Sequence, residues 1–177
     1  MSSKGVFSFP NPVNDVAART VATGVVLMAL LVAGLGWGWV LVPLTYGFVA
    51  RVLTGPTLSP LGQLATKVVA PALPRHTKLV PGPPKRFAQG IGVAFTVTAS
   101  LLWLAGATGT ARIVVALLLG AAFLEAAFGF CLGCKIFALL MRVGVVPESV
   151  CEECNDLSLR WARLEASGAA RASEPAL

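Results

Sequence analysis

Four apolar stretches bounded by glycine, proline and basic residues set the pattern of this chain: roughly Thr20–Trp37, Trp39–Leu53, Phe87–Ala105 and Ile113–Phe130. A transmembrane helix needs about 20 mostly apolar residues. The pattern therefore predicts an all-α, polytopic membrane protein with four transmembrane helices, the second of them short. The first stretch reads as a span rather than a cleaved leader. It starts late, after Asn11-Pro-Val-Asn-Asp15, and runs into another apolar segment with no small-residue cleavage site before it. The chain divides into an N-terminal segment (1–19), a first helix pair (20–54), and a break with an interfacial helix and a Pro-rich basic linker (55–86). A second helix pair with its own interfacial helix (87–146) and a tail (147–177) follow.

Composition agrees. The chain is 56% hydrophobic and only 12% charged, far from the balance of a soluble domain. Charge then sets orientation. Lys67, Arg75, Lys78, Lys85 and Arg86 crowd the middle connection, no acidic residue lies between Asp15 and Glu125, and the short turns offer only Arg112. By the positive-inside rule both termini and the middle segment face the cytoplasm, in the inner (plasma) membrane. The net charge of +6 is then a matter of topology and anionic lipid. Nucleic acid is a poor partner, because the basic residues are dispersed between prolines.

The halves look like tandem copies of one two-helix unit. Each has a basic start (Arg19; Lys85-Arg86), an apolar span, a Gly-rich turn, a second span and a glycine-marked break. Aligning Gly55 with Gly129 sets Thr57-Leu-Ser-Pro60 opposite Cys131-Leu-Gly-Cys134, with a short apolar segment after each that suits a helix on the membrane surface. Two-span copies share one orientation, so their axis lies along the membrane normal. The alignment also sets Arg51 against Glu125, the only carboxylate inside an expected span. An ionisable group there needs a partner or a polar cavity, which suggests an Arg51–Glu125 ion pair across the axis.

The chemistry lies in the cysteines. Cys131 and Cys134 end the last span, and Cys151 and Cys154 follow after sixteen intervening residues. Two sulfurs at CxxC spacing can form a disulfide, relay electrons or hold a soft metal. The cytosol keeps thiols reduced, so a permanent disulfide is not expected there. Lys135 favours a thiolate while Phe128 and Phe130 oppose it, and Gly129 and Gly133 leave room for a partner to approach the sulfurs. Glu152 and Glu153 raise the outer thiols and favour a cation. Three uses stay open. The first is a thiol-disulfide or sulfur relay, a component of a membrane thiol-disulfide oxidoreductase system, with Cys131/Cys134 as nucleophilic pair and Cys151/Cys154 as a mobile arm. The second is transport of a thiophilic ion, zinc or mercury-like, by ligand exchange. The third is a structural zinc bound by all four cysteines, anchoring the tail.

Other features add little. His76 stands in the proline-rich linker and reads as solvated, Trp37, Trp39 and Trp103 suit interfacial anchoring, and residues 155–165 can form an amphipathic helix. No phosphate loop, nucleophile triad or CxxCH occurs.

Phe9-Pro-Asn-Pro-Val-Asn-Asp-Val-Ala-Ala-Arg19, Gly55-Pro-Thr-Leu-Ser-Pro60, Arg86-Phe-Ala-Gln-Gly, Phe128-Gly-Phe-Cys-Leu-Gly-Cys134 and Cys151-Glu-Glu-Cys-Asn-Asp156 carry a resemblance. From about Phe9 to Asp156 the chain resembles the DUF4395 family of small bacterial integral membrane proteins, with FGFCLGC as its specific part. The resemblance implies a four-helix membrane domain. Relatives associated or fused with thioredoxin-like proteins would favour thiol chemistry with a soluble thioredoxin-like or sulfurtransferase partner; the family carries no established reaction.

Overall fold

A computed structural model describes residues 13–72 and 79–147. The order is β1 (Val13–Asn14), α1 (Asp15–Ala33), a 3-10 turn (Gly38–Val40) leading into α2 (Leu41–Thr54), then α3 (Pro60–Leu64). A π-helical stretch (Ala65–Val69), α4 (Ala70–Ala72), β2 (Leu79–Val80), α5 (Gly82–Leu104), α6 (Thr108–Phe128) and α7 (Leu132–Arg142) complete it. The described residues are all-helical apart from two short antiparallel strands, in which Val13 pairs with Val80 and Asn14 with Leu79.

Local chemistry sets the boundaries. The Asn14 side chain accepts the Val16 N–H, and Asp15 complements the positive end of α1, so this helix begins five residues before the expected Thr20. α5 likewise begins early. Pro83 and Pro84, expected in an extended linker, instead fill the first turn of a helix whose N-cap is Pro81. Gly129, at φ +67°, ends α6 in the left-handed conformation.

Three described helices, α1, α5 and α6, are long and apolar enough to cross a membrane. The stretch expected as a second span, Trp39–Leu53, lies in the shorter apolar helix Gly38–Thr54. At roughly 1.5 Å per residue it covers about 25 Å, short of a hydrocarbon core of roughly 30 Å. Large apolar side chains on the long helices, Leu27, Leu101, Ile113, Leu117 and Phe123 among them, are exposed, as lipid-facing groups are.

Arginines fix how the helices lie together. Arg19, at the start of α1, donates to the Ala126 and Ala127 carbonyls at the end of α6, and Arg112, at the start of α6, donates to the Ala33 and Gly34 carbonyls at the end of α1. The two helices thus run antiparallel along their whole length. Arg86, at the start of α5, donates to the Val52 carbonyl near the end of α2, and Trp103, near the other end of α5, lies against Gly38. α2 and α5 are therefore antiparallel too. Each cation also meets a helix C-terminus, where the dipole welcomes it.

The core between these pairs uses small residues. Ala29, Ala99 and Ala122 sit with Val25, Val32, Leu44 and Val115, and the Phe48 ring occupies the space that a side chain at Gly92 would take. Close backbone approach of this kind is how helices associate where no water drives them together.

Candidate functional site

The site lies at the end of the bundle where α1 and α5 begin and α2 and α6 finish. After Gly129 turns the chain, Cys131 adopts an extended conformation as N-cap of α7, and its sulfur accepts the Cys134 N–H at 3.3 Å. A cysteine does here what serine or aspartate usually does. α7 is held down by Gly133, where an added Cβ would fall 2.6 Å from Ala88 Cβ and 2.8 Å from Ala88 Cα, and by Phe137 packed on Phe87 at 5.4 Å between ring centres. Gly133 is thus filled by α5. The missing side chain there serves helix contact with Ala88.

Neither described cysteine is in a disulfide. Cys131 is 8% exposed and Cys134 partly exposed. Beside them sits Lys85, itself buried, in direct contact with Glu125 Oε1. The Cys131 thiol is held below its ordinary value, first because the Cys134 S–H donates to its sulfur, with the Lys85 ammonium and the Cys134 backbone N–H adding to this against burial and the Glu125 charge. Cys134 is pushed the other way, by giving that hydrogen bond, by burial and by the neighbouring sulfur. The two thiols are therefore biased in opposite directions, with Cys131 the one that ionises first. Two cavities reach it: one of about 470 Å³ between Asp15, Lys85, Phe128 and both cysteines, and an apolar one of about 340 Å³ running inward past Cys131 to Phe48 and Phe95.

Two expectations need correction. Glu125 pairs with Lys85, not with Arg51, because α5 begins early and carries Lys85 into the layer that Glu125 occupies. Arg51 instead donates from Nε to Gln89 Oε1 at 2.9 Å and from Nη1 to Ser59 Oγ at 3.3 Å, with its guanidinium over the Phe48 ring. The cation acting on the thiols is likewise Lys85 rather than Lys135, which lies over Phe130. Lys85 reads from the sequence as a topological charge and as the basic start of the second half, not as a partner of the thiols. Its position seven residues after Lys78, just after a Pro-Pro helix start, was the available signal.

Cys151 and Cys154 lie outside the described residues, as do His76 and the 155–165 segment. Among the described residues no group of three or more Cys, His, Asp and Glu side chains comes together. Two sulfurs beside an ammonium fit a thiolate better than a zinc ion, so the described donors do not by themselves make a zinc site.

No curated protein and no solved structure is detectably similar to the chain. Residues 13–142, which contain both helix pairs, Lys85, Glu125 and the Cys131/Cys134 site, match the family described as a domain of unknown function, DUF4395, and the chain belongs to that family.

Proposed function

We propose that the protein is a membrane-embedded dithiol that exchanges disulfides or sulfur with a soluble thioredoxin-like partner. The observation that carries this is the placement of Cys131: it caps α7, its sulfur accepts the Cys134 N–H, and it shares a cavity wall with Lys85 and Cys134. A sulfur so placed is a nucleophile at helix N-terminal potential, with its resolving thiol one turn away.

The exchange balances without outside reagents. Cys131 thiolate attacks one sulfur of the partner's disulfide, forming a mixed disulfide and releasing the partner's other sulfur as thiolate. Cys134 then gives its proton to the released partner thiolate and attacks Cys131 Sγ. The second partner thiolate leaves, and Cys131–Cys134 is oxidised while the partner is reduced by two electrons. Cys151 and Cys154 are a second pair positioned by sequence to pass the disulfide onward.

The reading places the site on the cytoplasmic face. Arg19, Lys67, Lys85, Arg86, Lys135 and Arg142 belong to that end of the bundle, against Arg112 at the other. It also takes Gly38–Thr54 as a fourth, short span and the chain as two parallel repeats. Support for the repeat comes from matched devices: Arg19 Nε bonds the carbonyl three residues before Gly129, and Arg86 Nε bonds the carbonyl three residues before Gly55. Ser59 caps α3 by accepting Gly62 N–H as Cys131 caps α7 by accepting Cys134 N–H. Relay is preferred to a thiophilic ion carrier because Lys85 stands beside the sulfurs.

Trapping tests it. Cys134→Ser, expressed in its native membrane, should accumulate a reducible adduct on Cys131, and Cys131→Ser should accumulate much less, and only on Cys134. Absence of any adduct in Cys134→Ser, with the thiol free and reactive, would reject the relay.

A further inference from the structure

Two cavities meet at the thiol site, and among the described residues Cys131 alone lines both. The one of about 470 Å³ has Lys85, Cys134 and Lys135 in its wall and is the side from which the relay takes a soluble partner to approach. The one of about 340 Å³ is lined mainly by apolar side chains and runs inward to Phe48 and Phe95, midway along α2 and α5. Leu117, Leu132 and Ile136 line it and are nevertheless exposed, so it opens on the apolar outer surface of α6 and α7, where lipid lies. Small-molecule sites have this size, about 300–1,000 Å³, and this mostly apolar wall with a few polar groups. Those groups include Gln89, Glu125 and Cys131. Gln89 Oε1 accepts from Arg51 Nε, so what this amide offers a ligand is its N–H donors.

A lipid acyl chain fills such a space but makes no use of a sulfur in its wall; a lipid-soluble two-electron acceptor does. Taking the relay as the reaction of this site, we infer that the cavity admits the ring of a membrane quinone, which oxidises Cys131 and Cys134 from the lipid side. Its carbonyl oxygens suit the Gln89 N–H donors, and its flat ring suits the aromatic faces of Phe48 and Phe95. Thiol-disulfide exchange is reversible, and run backwards it leaves the soluble partner oxidised and the Cys131/Cys134 pair reduced. The Cys131 thiolate then adds to a ring carbon, forming a C–S bond, and one ring oxygen takes a proton from water. Cys134 gives up its proton and attacks Cys131 Sγ. The S–S bond forms, the C–S bond breaks with its electron pair going to the ring, and the second ring oxygen takes up the proton that Cys134 released. The pair is oxidised by two electrons, and the quinone leaves as hydroquinone.

The test uses the reduced full chain in phosphatidylcholine bilayer discs, kept free of oxygen, with two oxidants in separate samples. Decylubiquinone partitions into the bilayer; oxidised glutathione stays in water. With decylubiquinone a Cys131–Cys134 disulfide should form, located by mass spectrometry, together with an equal amount of decylubiquinol. Ala121→Leu on α6 and Ile91→Phe on α5 each add bulk to the cavity wall. Either should slow oxidation by the quinone about tenfold to a hundredfold, as misplaced reacting atoms do, and leave oxidation by glutathione unchanged. Retention of the glutathione reaction shows that a variant is folded, and two variants on different helices guard against the failure of one. Oxidation by glutathione with no decylubiquinol formed overturns the quinone site and leaves the relay standing, as does quinone oxidation at the original rate in a folded variant. Oxidation of the pair by neither reagent overturns both.

Discussion

The first half of the molecule ends its second helix at Gly55 and starts its third with Ser59 as cap; the second half ends at Gly129 and starts with Cys131. Four residues before each glycine stands an ionisable side chain, Arg51 in one case and Glu125 in the other, each linked to α5, through Gln89 and through Lys85. Like positions thus carry unlike chemistry. A hydroxyl cap followed by proline is inert, while a thiol cap followed three residues later by another thiol is a pair biased in opposite directions. The comparison separates what the scaffold requires, a cap and a buried polar layer, from what only one half adds.

The largest expected effect tests the polar layer. Glu125→Gln leaves the Lys85 ammonium buried without its counter-ion and should cost about 3–5 kcal/mol of stability, measured by denaturant unfolding in detergent. The double variant Glu125→Gln/Lys85→Met should recover most of that loss. Arg51→Met should cost less, about 1–3 kcal/mol, since it strands only the neutral partners Gln89 and Ser59. If Arg51→Met proved the more damaging, the assignment of the ion pair to Lys85 would be wrong.

Next comes the seat of the thiol helix. Gly133→Val drives a side chain into the Ala88 backbone and should destabilise by roughly 1–3 kcal/mol. The same change should speed labelling of Cys134 as α7 lifts; unchanged labelling would mean that α7 does not depend on that contact. The first-half cap comes last. Ser59→Ala removes the cap bond and strands Arg51 Nη1, and should cost about 1–3 kcal/mol. Ser59→Cys should fold, yet the introduced thiol should label no faster than an ordinary cysteine, because Gly62 supplies no second S–H. Fast labelling of that introduced thiol would show that the cap alone, without a paired thiol, activates sulfur.

The sequence carried the helical membrane class and its apolar helices, because hydrophobic runs are local signals, and CxxC spacing marked the two thiols that the start of α7 holds together. Helix starts were missed where capping overrode composition. Asn14 and Asp15 begin α1 within polar sequence, and Pro83 and Pro84 begin α5 within what reads as linker. The partner of Glu125 was illegible for the same reason. An alignment of halves matches Arg51 to Glu125 in position, but which cation Glu125 meets depends on where α5 enters the layer. Ser59 and Cys131 are both N-caps, but the first follows its glycine by four residues and the second by two, so an ungapped alignment sets Thr57 rather than Ser59 against Cys131.

The central claim is that Cys131 ionises first and Cys134 donates to it. Site-resolved alkylation of the reduced full chain across pH, read by mass spectrometry, tests it directly. A depressed thiol keeps its reactive, charged form at lower pH, so Cys131 should label with a midpoint below the usual cysteine value of about 8.5. Cys134 should stay unreactive through that range and gain reactivity in Cys131→Ser. Simultaneous labelling of both at or above the ordinary thiol value, or labelling of Cys134 first, would contradict the account.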